Sequence, residues 1–211
     1  MPLYKKTLDK KSFKLLEYIN SNQNFRHFYL AGGTSLSLQI GHRESIDLDF
    51  FTHWPFSSNL ISKLNKPYDA IGIHNNSIEA IVEDTKVFFF YFAFPRYKDL
   101  IIINEIKFAD PVDIGLMKLL ALQGRTTRKD IIDLYFIDKE IIPLENLMEL
   151  FQKHYPKERF NQIDSIKTLL DSETLELQPM PKMLKKVKWC EIRDYVVKKV
   201  IQGTTNTINL S

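Results

Sequence analysis

Two aspartates separated by one residue, Asp47 and Asp49, are the side chains whose types and spacing most directly suggest chemistry. On a β-strand, side chains two positions apart share a face, so the spacing predicts two adjacent carboxylates. Adjacent carboxylates repel each other unless a cation lies between them. Mg²⁺ is commonly held by one or two carboxylates together with substrate phosphates. The pair therefore predicts a site for Mg²⁺, or Mn²⁺, that binds a phosphorylated substrate.

A glycine pair, Gly32-Gly33, precedes these aspartates at the point where a short apolar strand meets a predicted helix over 34–40. Glycine lets the backbone approach a phosphate closely, and a helix N-terminus favours an anion. Thr34 and Ser35 would add hydroxyl donors. Taken alone, a glycine pair is usually a turn, and an Asp-x-Asp pair is usually a solvated strand face. Their order along the chain favours phosphoryl or nucleotidyl transfer.

A second group of polar residues lies in the later part of the chain. Lys118 falls off the apolar stripe of a predicted helix over 111–124, where it is either a solvated surface lysine or a cation for a triphosphate. Asp130 and Asp133 are three residues apart on the next predicted helix and share a face. The ordinary explanation for Asp133 is an ion pair with Lys129, four residues earlier.

The hydrophobic patterns predict the elements that position these residues. Up to Asp110 strands alternate with helices, and after it the patterns are helical, with no internal repeat. The sequence therefore predicts an α/β (α+β) core over 1–110 and a helical domain over 111–211. The predicted strands are 28–31, 45–52, 78–83, 86–94 and 100–108. The predicted helices are 12–21, 34–40, 55–64, 111–124, 128–140, 143–154, 159–170 and 183–201.

The motifs resemble those of the polymerase-beta-like nucleotidyltransferases and, more closely, the AbiEii/AbiGii toxin family. The resemblance rests on Gly32-Gly33-Thr34, on 42–51 and on a later lysine, arginine and Lys-Asp-x-x-Asp pattern, here Lys118, Arg125 and 129–133. It implies a mixed sheet with flanking helices, followed by a C-terminal helical bundle that completes the active-site cleft. The implied roles are metal binding by Asp47 and Asp49, triphosphate binding by the Gly32–Ser35 segment, and active-site roles for Lys118 and Asp130.

The implied activity is Mg²⁺-dependent transfer of a nucleoside monophosphate from an NTP to an acceptor hydroxyl, with tRNA favoured as the acceptor. The implied biological role is the toxin of a bacterial toxin–antitoxin or phage abortive-infection system, with a cognate antitoxin as partner. The alternatives are a small-molecule adenylyltransferase of the antibiotic-resistance type and a catalytically silent nucleotide- or RNA-binding relative. Polymerase-beta-like enzymes usually carry a third metal-binding carboxylate on a later strand. The predicted strand 100–108 offers only Glu105 for this role, which is the reason to keep the catalytically silent alternative.

Composition narrows the remaining classes. The 211 residues carry a formal net charge of +3, which by itself does not indicate nucleic-acid binding. The single cysteine, Cys190, excludes an internal disulfide and a cysteine-rich zinc site. The apolar runs are too short for a membrane span. Together with the single cysteine, this predicts a cytoplasmic protein without a membrane partner. Seven basic residues over 182–199 form either a solvated face or a contact surface for an RNA backbone.

Overall fold

The computed structural model describes residues 2–122, 127–155 and 172–208. The chain divides into two compact units, Met1–Asp110 and Pro111–Ser211. The first unit contains the sheet, and every regular element described in the second unit is a helix. This mixed sheet with flanking helices, followed by a helical region, confirms the predicted fold class.

The first unit is built on one mixed sheet of seven strands in the order β3-β4-β5-β2-β1-β7-β6. The central strand β2 pairs in parallel with β5 and antiparallel with β1, and β1 pairs in parallel with β7. The remaining pairs are antiparallel hairpins. The strands are β1 Tyr29–Leu30, β2 Leu48–Thr52, β3 Tyr68–His74, β4 Ser77–Val82, β5 Thr85–Tyr91, β6 Ile101–Ile103 and β7 Ile106–Phe108.

One face of the central strands packs against helix α1, Lys10–Ser21. This helix begins where the Asp9 carboxylate accepts hydrogen bonds from the backbone N–H groups of Lys11 and Ser12, which is a standard N-cap. Buried residues of α1 and of alternate strand positions form one apolar cluster. The polar and aromatic residues that alternate with the buried ones along the central strands lie on the opposite face of the sheet. The cluster includes Phe13, Leu16, Ile19, Leu30, Leu48, Phe50, Val87 and Phe89.

Several elements differ from the sequence predictions. The predicted strand 100–108 is a tight hairpin of β6 and β7, because Asn104 and Glu105 adopt positive φ angles and reverse the chain. The edge strand β3 was not predicted, since its side chains are mostly exposed and lack an alternating pattern. The segment 55–64 contains a 3₁₀ helix, Ser58–Leu64.

The second unit consists, in its described part, of five helices. The helix predicted over 128–140 is found with those bounds, whereas the last helix begins at Trp189 instead of 183. The helix predicted over 159–170 lies outside the described residues, and the short helix Ser172–Leu177 was not predicted. Among the described residues, no helix is long and apolar enough to cross a membrane. The helices are α3 Pro111–Ala121, α4 Arg128–Glu140, α5 Leu144–His154, α6 Ser172–Leu177 and α7 Trp189–Ile208.

Candidate active site

The carboxylate of Asp49 lies directly against the start of helix α2, Gly32–Ile40. Gly32 has a φ of +64°, a conformation that favours glycine. A Cβ placed on Gly32 would come within 2.5 Å of Asp49 Oδ2. The missing side chain therefore makes room for the carboxylate at a helix N-terminus, where the helix dipole stabilises negative charge. The glycine pair and the Asp-x-Asp pair thus form one structure.

Asp47 and Asp49 lie on either side of a buried leucine at the start of β2. The strand begins at Leu48, so Asp47 immediately precedes it instead of lying within it as predicted. Leu48 is fully buried, while Asp47 and Asp49 are both half-buried. The preceding Ile46 is 64% exposed, so the alternation of buried side chains begins only at Leu48. The alternation leaves the two carboxylates away from the core, as the two-residue spacing predicts.

The hydroxyl of Thr34 fixes the loop that leads to Asp47. It contacts the backbone carbonyl oxygen of Asp47 and the Ser45 hydroxyl, the latter at 2.7 Å. Since a carbonyl can only accept, Thr34 donates to Asp47 O and accepts from Ser45. Thr34 is buried, so this side chain positions the aspartate and is not placed to bind a phosphate as the sequence suggested.

Ser35 also departs from its predicted contact. Its side chain is fully buried, and its Oγ lies 3.1 Å from the Gln39 side-chain amide nitrogen. The same amide donates to the backbone carbonyl of Ala109 at 3.0 Å. Ser35 therefore belongs to a hydrogen-bond network that anchors α2. The groups of this segment that remain suited to an anion are the backbone N–H groups of the first turn, which have no acceptor within the helix.

The residues present fit a magnesium ion that is shared with a substrate. Among the described residues, no group of three or more acidic, histidine or cysteine side chains is arranged to hold a metal by itself. Asp47 and Asp49 supply hard carboxylate oxygens, and Mg²⁺ is usually bound by one or two carboxylates plus substrate phosphates. The space that a Cβ on Gly32 would fill is occupied by one of these carboxylates. Two carboxylates beside anion-binding N–H groups suit a metal–triphosphate complex better than a free metal.

Glu105, the sole candidate for a third carboxylate on the predicted strand 100–108, lies in the turn of the β6–β7 hairpin. Its backbone carbonyl accepts a hydrogen bond from the Asn20 side-chain amide at 2.8 Å. The residue opposite Asp49 on β5 is Phe88. The strand that pairs in parallel with β2 thus adds an aromatic side chain beside Asp49 and no third acid.

In the second unit, Lys118 lies between two aspartates. Its Nζ is 2.6 Å from Asp130 Oδ1 and 2.8 Å from Asp133 Oδ2. All three side chains are largely buried, and that of Asp133 is fully buried. Lys118 is therefore not a solvated surface lysine, and Asp133 pairs with it instead of with Lys129. The three charges sum to −1, so the cluster as a whole is not cationic.

Asp130 is held in its charged form by its neighbours. Burial raises its pKa, but the charge and hydrogen bond of Lys118 and the hydrogen bond from Thr127 outweigh burial, so the pKa lies below its ordinary value. The Thr127 hydroxyl lies 2.7 Å from Asp130 Oδ2, and the Thr127 backbone N–H donates to the same oxygen. At neutral pH this carboxylate is ionised and can accept a hydrogen bond.

Sequence reasoning missed the roles of Thr127 and Arg128. Thr127 and Asp130 form a capping box at the start of α4, a motif that the Thr-x-x-Asp spacing could have indicated. The buried Arg128 side chain donates to the carbonyl oxygens of Leu175 and Glu176 and packs over the Trp189 ring. No local spacing reveals those distant partners. Arg125, which the family pattern also includes, lies outside the described residues.

Comparison with known proteins gives matches in sequence and in structure. The model of a family described as the nucleotidyl transferase AbiEii toxin of a type IV toxin–antitoxin system matches residues 14–102. A curated relative, described as an uncharacterized protein of Aquifex aeolicus (strain VF5), is 30% identical over 207 residues. That alignment covers 94% of this chain and 98% of the relative.

Two solved structures share the fold over most of the chain. A putative nucleotidyltransferase from Helicobacter pylori superposes with a TM-score of 0.57 at 18% identity, covering 96% of this chain and 99% of the other. The nucleotidyltransferase toxin MenT4 from Mycobacterium tuberculosis H37Rv superposes with a TM-score of 0.60 at 14% identity, covering 92% of this chain and 82% of that one. The shared fold is that of the polymerase-beta-like nucleotidyltransferases.

Proposed function

Because this chain belongs to the AbiEii family of nucleotidyltransferase toxins, we propose that it transfers a nucleoside monophosphate from an NTP to an acceptor hydroxyl. The resemblance inferred from the glycine pair and the Asp-x-Asp pair is confirmed. The observation that carries the proposal is the contact of the Asp49 carboxylate with Gly32 at the start of α2. A carboxylate and a helix N-terminus side by side are the two parts that a metal–triphosphate complex needs.

Asp47 and Asp49 would hold Mg²⁺, or Mn²⁺. When bound, such an ion orients the triphosphate and offsets the negative charge that develops in the transition state. The backbone N–H groups of Gly32 and Gly33 at the start of α2 would bind phosphate oxygens, while Thr34 and Ser35 hold α2 and the Asp47 loop in place. An acceptor oxygen forms a new bond to the α-phosphorus, the bond to the bridging oxygen breaks, and pyrophosphate leaves.

Lys118 and Asp130 are the proposed active-site residues of the second unit. Asp130 is ionised at neutral pH, so it can accept a hydrogen bond, and then the proton, from the attacking hydroxyl. Lys118 neutralises one of the two aspartates beside it and so keeps the carboxylate of Asp130 in place. Its role is thereby shifted from a simple phosphate contact toward the positioning of Asp130.

We propose tRNA as the acceptor. The proposed biological role is that of a cytoplasmic toxin of a toxin–antitoxin or phage abortive-infection system, with a cognate antitoxin as its partner. The family description supports a toxin–antitoxin role. The proposal of a tRNA acceptor rests on the exposed lysines of the basic region 182–199, which suit contacts to an RNA backbone.

Incubation of the protein with each α-labelled NTP, Mg²⁺ and total tRNA tests this function. The wild type should label RNA, and Asp47→Asn and Asp49→Asn should abolish labelling, because an amide cannot replace a carboxylate charge at a metal. Omission of the metal should have the same effect. Label found on a small molecule or on protein would replace tRNA as the acceptor. Labelling retained by both variants would contradict the metal site, and absence of any labelling would favour the silent relative.

A further inference from the structure

A cavity of about 460 Å³ opens beyond the C-terminal ends of β2 and β5. These strands are parallel, so the residues that follow both lie at the same edge of the sheet. The cavity, here called the His53 cavity, combines two cations, a tyrosine ring and one acid. Its lining residues are His53, Ala93, Pro95, Arg96, Tyr97, Lys98 and Asp99.

The His53 cavity lies on the same sheet face as Asp49. Asp49 and Phe51 of β2, and His53 directly after its end, alternate with the buried Phe50 and Thr52. His53 follows Asp49 by four residues, which at about 3.3 Å per residue is a separation of about 13 Å. A short single-stranded nucleic acid can span that distance between the proposed metal site and the cavity.

A row of aromatic rings connects the two places. Phe88, which pairs with Asp49, stacks on Phe90 with ring centroids 5.5 Å apart. Phe90 contacts Phe51 at 5.4 Å, and Phe51 contacts Phe92 at 5.9 Å. These phenylalanines are only half-buried, so ring surface remains available beside the carboxylates.

Two polar atoms of the lining side chains are buried and have no hydrogen-bond partner among the described residues, His53 Nε2 and Arg96 Nε. The other ring nitrogen of His53, Nδ1, donates to the carbonyl oxygen of Phe92 at 2.8 Å, which leaves Nε2 as an acceptor in the neutral ring. Buried polar atoms without partners are costly and are normally satisfied. Both side chains line the cavity, where a bound ligand or an ordered water would supply the missing partners.

We propose that the His53 cavity binds a nucleotide of the single-stranded 3′ end of an RNA acceptor, upstream of the nucleotide whose hydroxyl reacts. Single-stranded RNA is recognised by stacking of its bases on aromatic side chains and by cations along its backbone. Tyr97 is 45% exposed and offers a ring, while Arg96 and Lys98 offer the cations. This inference rests on the proposed function, because it assigns the acceptor end of the same site.

The test uses Tyr97→Ala and the double variant Arg96→Gln/Lys98→Gln in the full chain. The matched controls are Tyr68→Ala, another exposed tyrosine, and Lys10→Gln/Lys14→Gln, which removes two exposed positive charges elsewhere in the first unit. The probe is a labelled RNA hairpin with a short single-stranded 3′ tail, compared with the same hairpin without the tail. Binding is measured by fluorescence anisotropy without NTP, and NTP binding with Mg²⁺ is measured separately by calorimetry.

Tyr97→Ala should weaken binding of the tailed hairpin roughly five- to a hundredfold, the range for loss of one stacked base. Binding of the blunt hairpin, NTP binding, the melting temperature and both controls should stay at wild-type values. Equal affinity of wild type and cavity variants for the tailed hairpin overturns the proposal, as does weakened NTP binding, which would make the cavity a donor-base site. If Arg96→Gln/Lys98→Gln lowers the melting temperature, Lys98→Gln alone takes its place.

The outcomes separate this inference from the proposed function. If the wild type labels tRNA and the cavity variants bind the tailed hairpin with wild-type affinity, the transferase activity is supported and RNA binding by the His53 cavity is contradicted. If the wild type labels nothing but Tyr97→Ala still weakens binding of the tailed hairpin, RNA binding by the His53 cavity is supported and the transferase activity is contradicted.

Discussion

Gly32 shows how one missing Cβ can organise the proposed active site. Replacing it with alanine forces a side chain into a conformation with a φ of +64° and places the new carbon 2.5 Å from Asp49 Oδ2. The conformation alone costs about 1–2 kcal/mol, and the carboxylate must move as well. Gly32→Ala should therefore lower the melting temperature and abolish nucleotidyl transfer, measured well below the melting temperature of the variant.

Gly72→Ala is the matched control for that change. The nearest atom to a Cβ at Gly72 is 3.9 Å away, an ordinary contact, and its φ is not in the left-handed range. This variant should retain the wild-type melting temperature and transfer rate. A Gly32→Ala protein with normal transfer would show that the Asp49 carboxylate need not lie against α2.

Lys118 illustrates a reversal between what helix propensity predicts and what the structure predicts. Alanine is the better helix former, so propensity alone predicts that Lys118→Ala leaves the fold intact. In the structure, the change leaves Asp130 and Asp133 buried beside each other without the Lys118 cation. Breaking a buried ion pair from one side typically costs about 3–5 kcal/mol. Urea denaturation should show a loss of that size.

Lys129→Ala is the control for Lys118→Ala. The sequence predicts that Lys129 pairs with Asp133, but in the structure Asp133 pairs with Lys118, so removing the Lys129 side chain leaves that ion pair intact. Its cost should stay below about 0.5 kcal/mol. Adding Asp133→Asn to Lys118→Ala should restore part of the lost stability, because it removes one uncompensated charge. If Lys118→Ala unfolds at the wild-type urea concentration, the ion cluster does not stabilise the second unit.

At the scale of the element, sequence patterns located the helices with strong apolar periodicity and missed contacts between distant positions. The bounds of α4 were predicted from the local helical pattern over 128–140, although the capping role of Thr127 was overlooked. Strand β3 was missed because exposed edge residues carry no alternation. The pairing of the Asp47 and Asp49 carboxylates away from the core followed from their two-residue spacing. The contact of Gly32 with Asp49, and the ion pairs of Lys118, depend on how elements pack and have no local signature.

The basic region 182–199 offers fewer cations to RNA than its sequence suggests. Lys185 lies 2.7 Å from both Glu140 carboxylate oxygens, Arg193 pairs with Glu176, and Lys199 pairs with Glu145. These ion pairs connect the basic region 182–199 to α4, α5 and α6 within the second unit. The remaining exposed lysines with no ion pair among the described residues are Lys186, Lys188 and Lys198.

Replacing Lys186, Lys188 and Lys198 together with glutamine should weaken RNA binding and reduce its salt dependence. Each lost phosphate contact lowers the slope of log affinity against log salt by about 0.7 for single-stranded RNA. Affinity is measured over a series of salt concentrations, with NTP affinity measured separately and expected to be unchanged. Lys185→Gln is the comparison, because it should affect stability through Glu140 more than RNA binding. An unchanged slope in the triple variant would make this region a solvated face.

At the scale of the whole molecule, the carboxylates with lowered pKa values set the response to acid. Hydrogen bonds from Ser12 lower the pKa of Asp9, a hydrogen bond from Lys199 lowers that of Glu145, and the Lys118 and Thr127 contacts lower that of Asp130 against its burial. Asp9 is exposed and Glu145 is only half-buried, so solvent and salt screen their contributions. Asp130 is buried and should dominate the response.

A carboxylate whose pKa is lower in the folded than in the unfolded chain binds fewer protons when folded. Its stabilising effect is therefore complete above the unfolded pKa, about 3.9 for aspartate, and is lost as the pH falls through the lower folded value. Asp130→Asn lacks this titration. The difference in melting temperature between wild type and Asp130→Asn should be largest near neutral pH and should shrink below about pH 4. Added salt should change it little, because the ion cluster of Asp130 is buried. A difference that stays constant from neutral to acidic pH would mean that Asp130 stabilises the fold through the capping box with Thr127 and not through its charge.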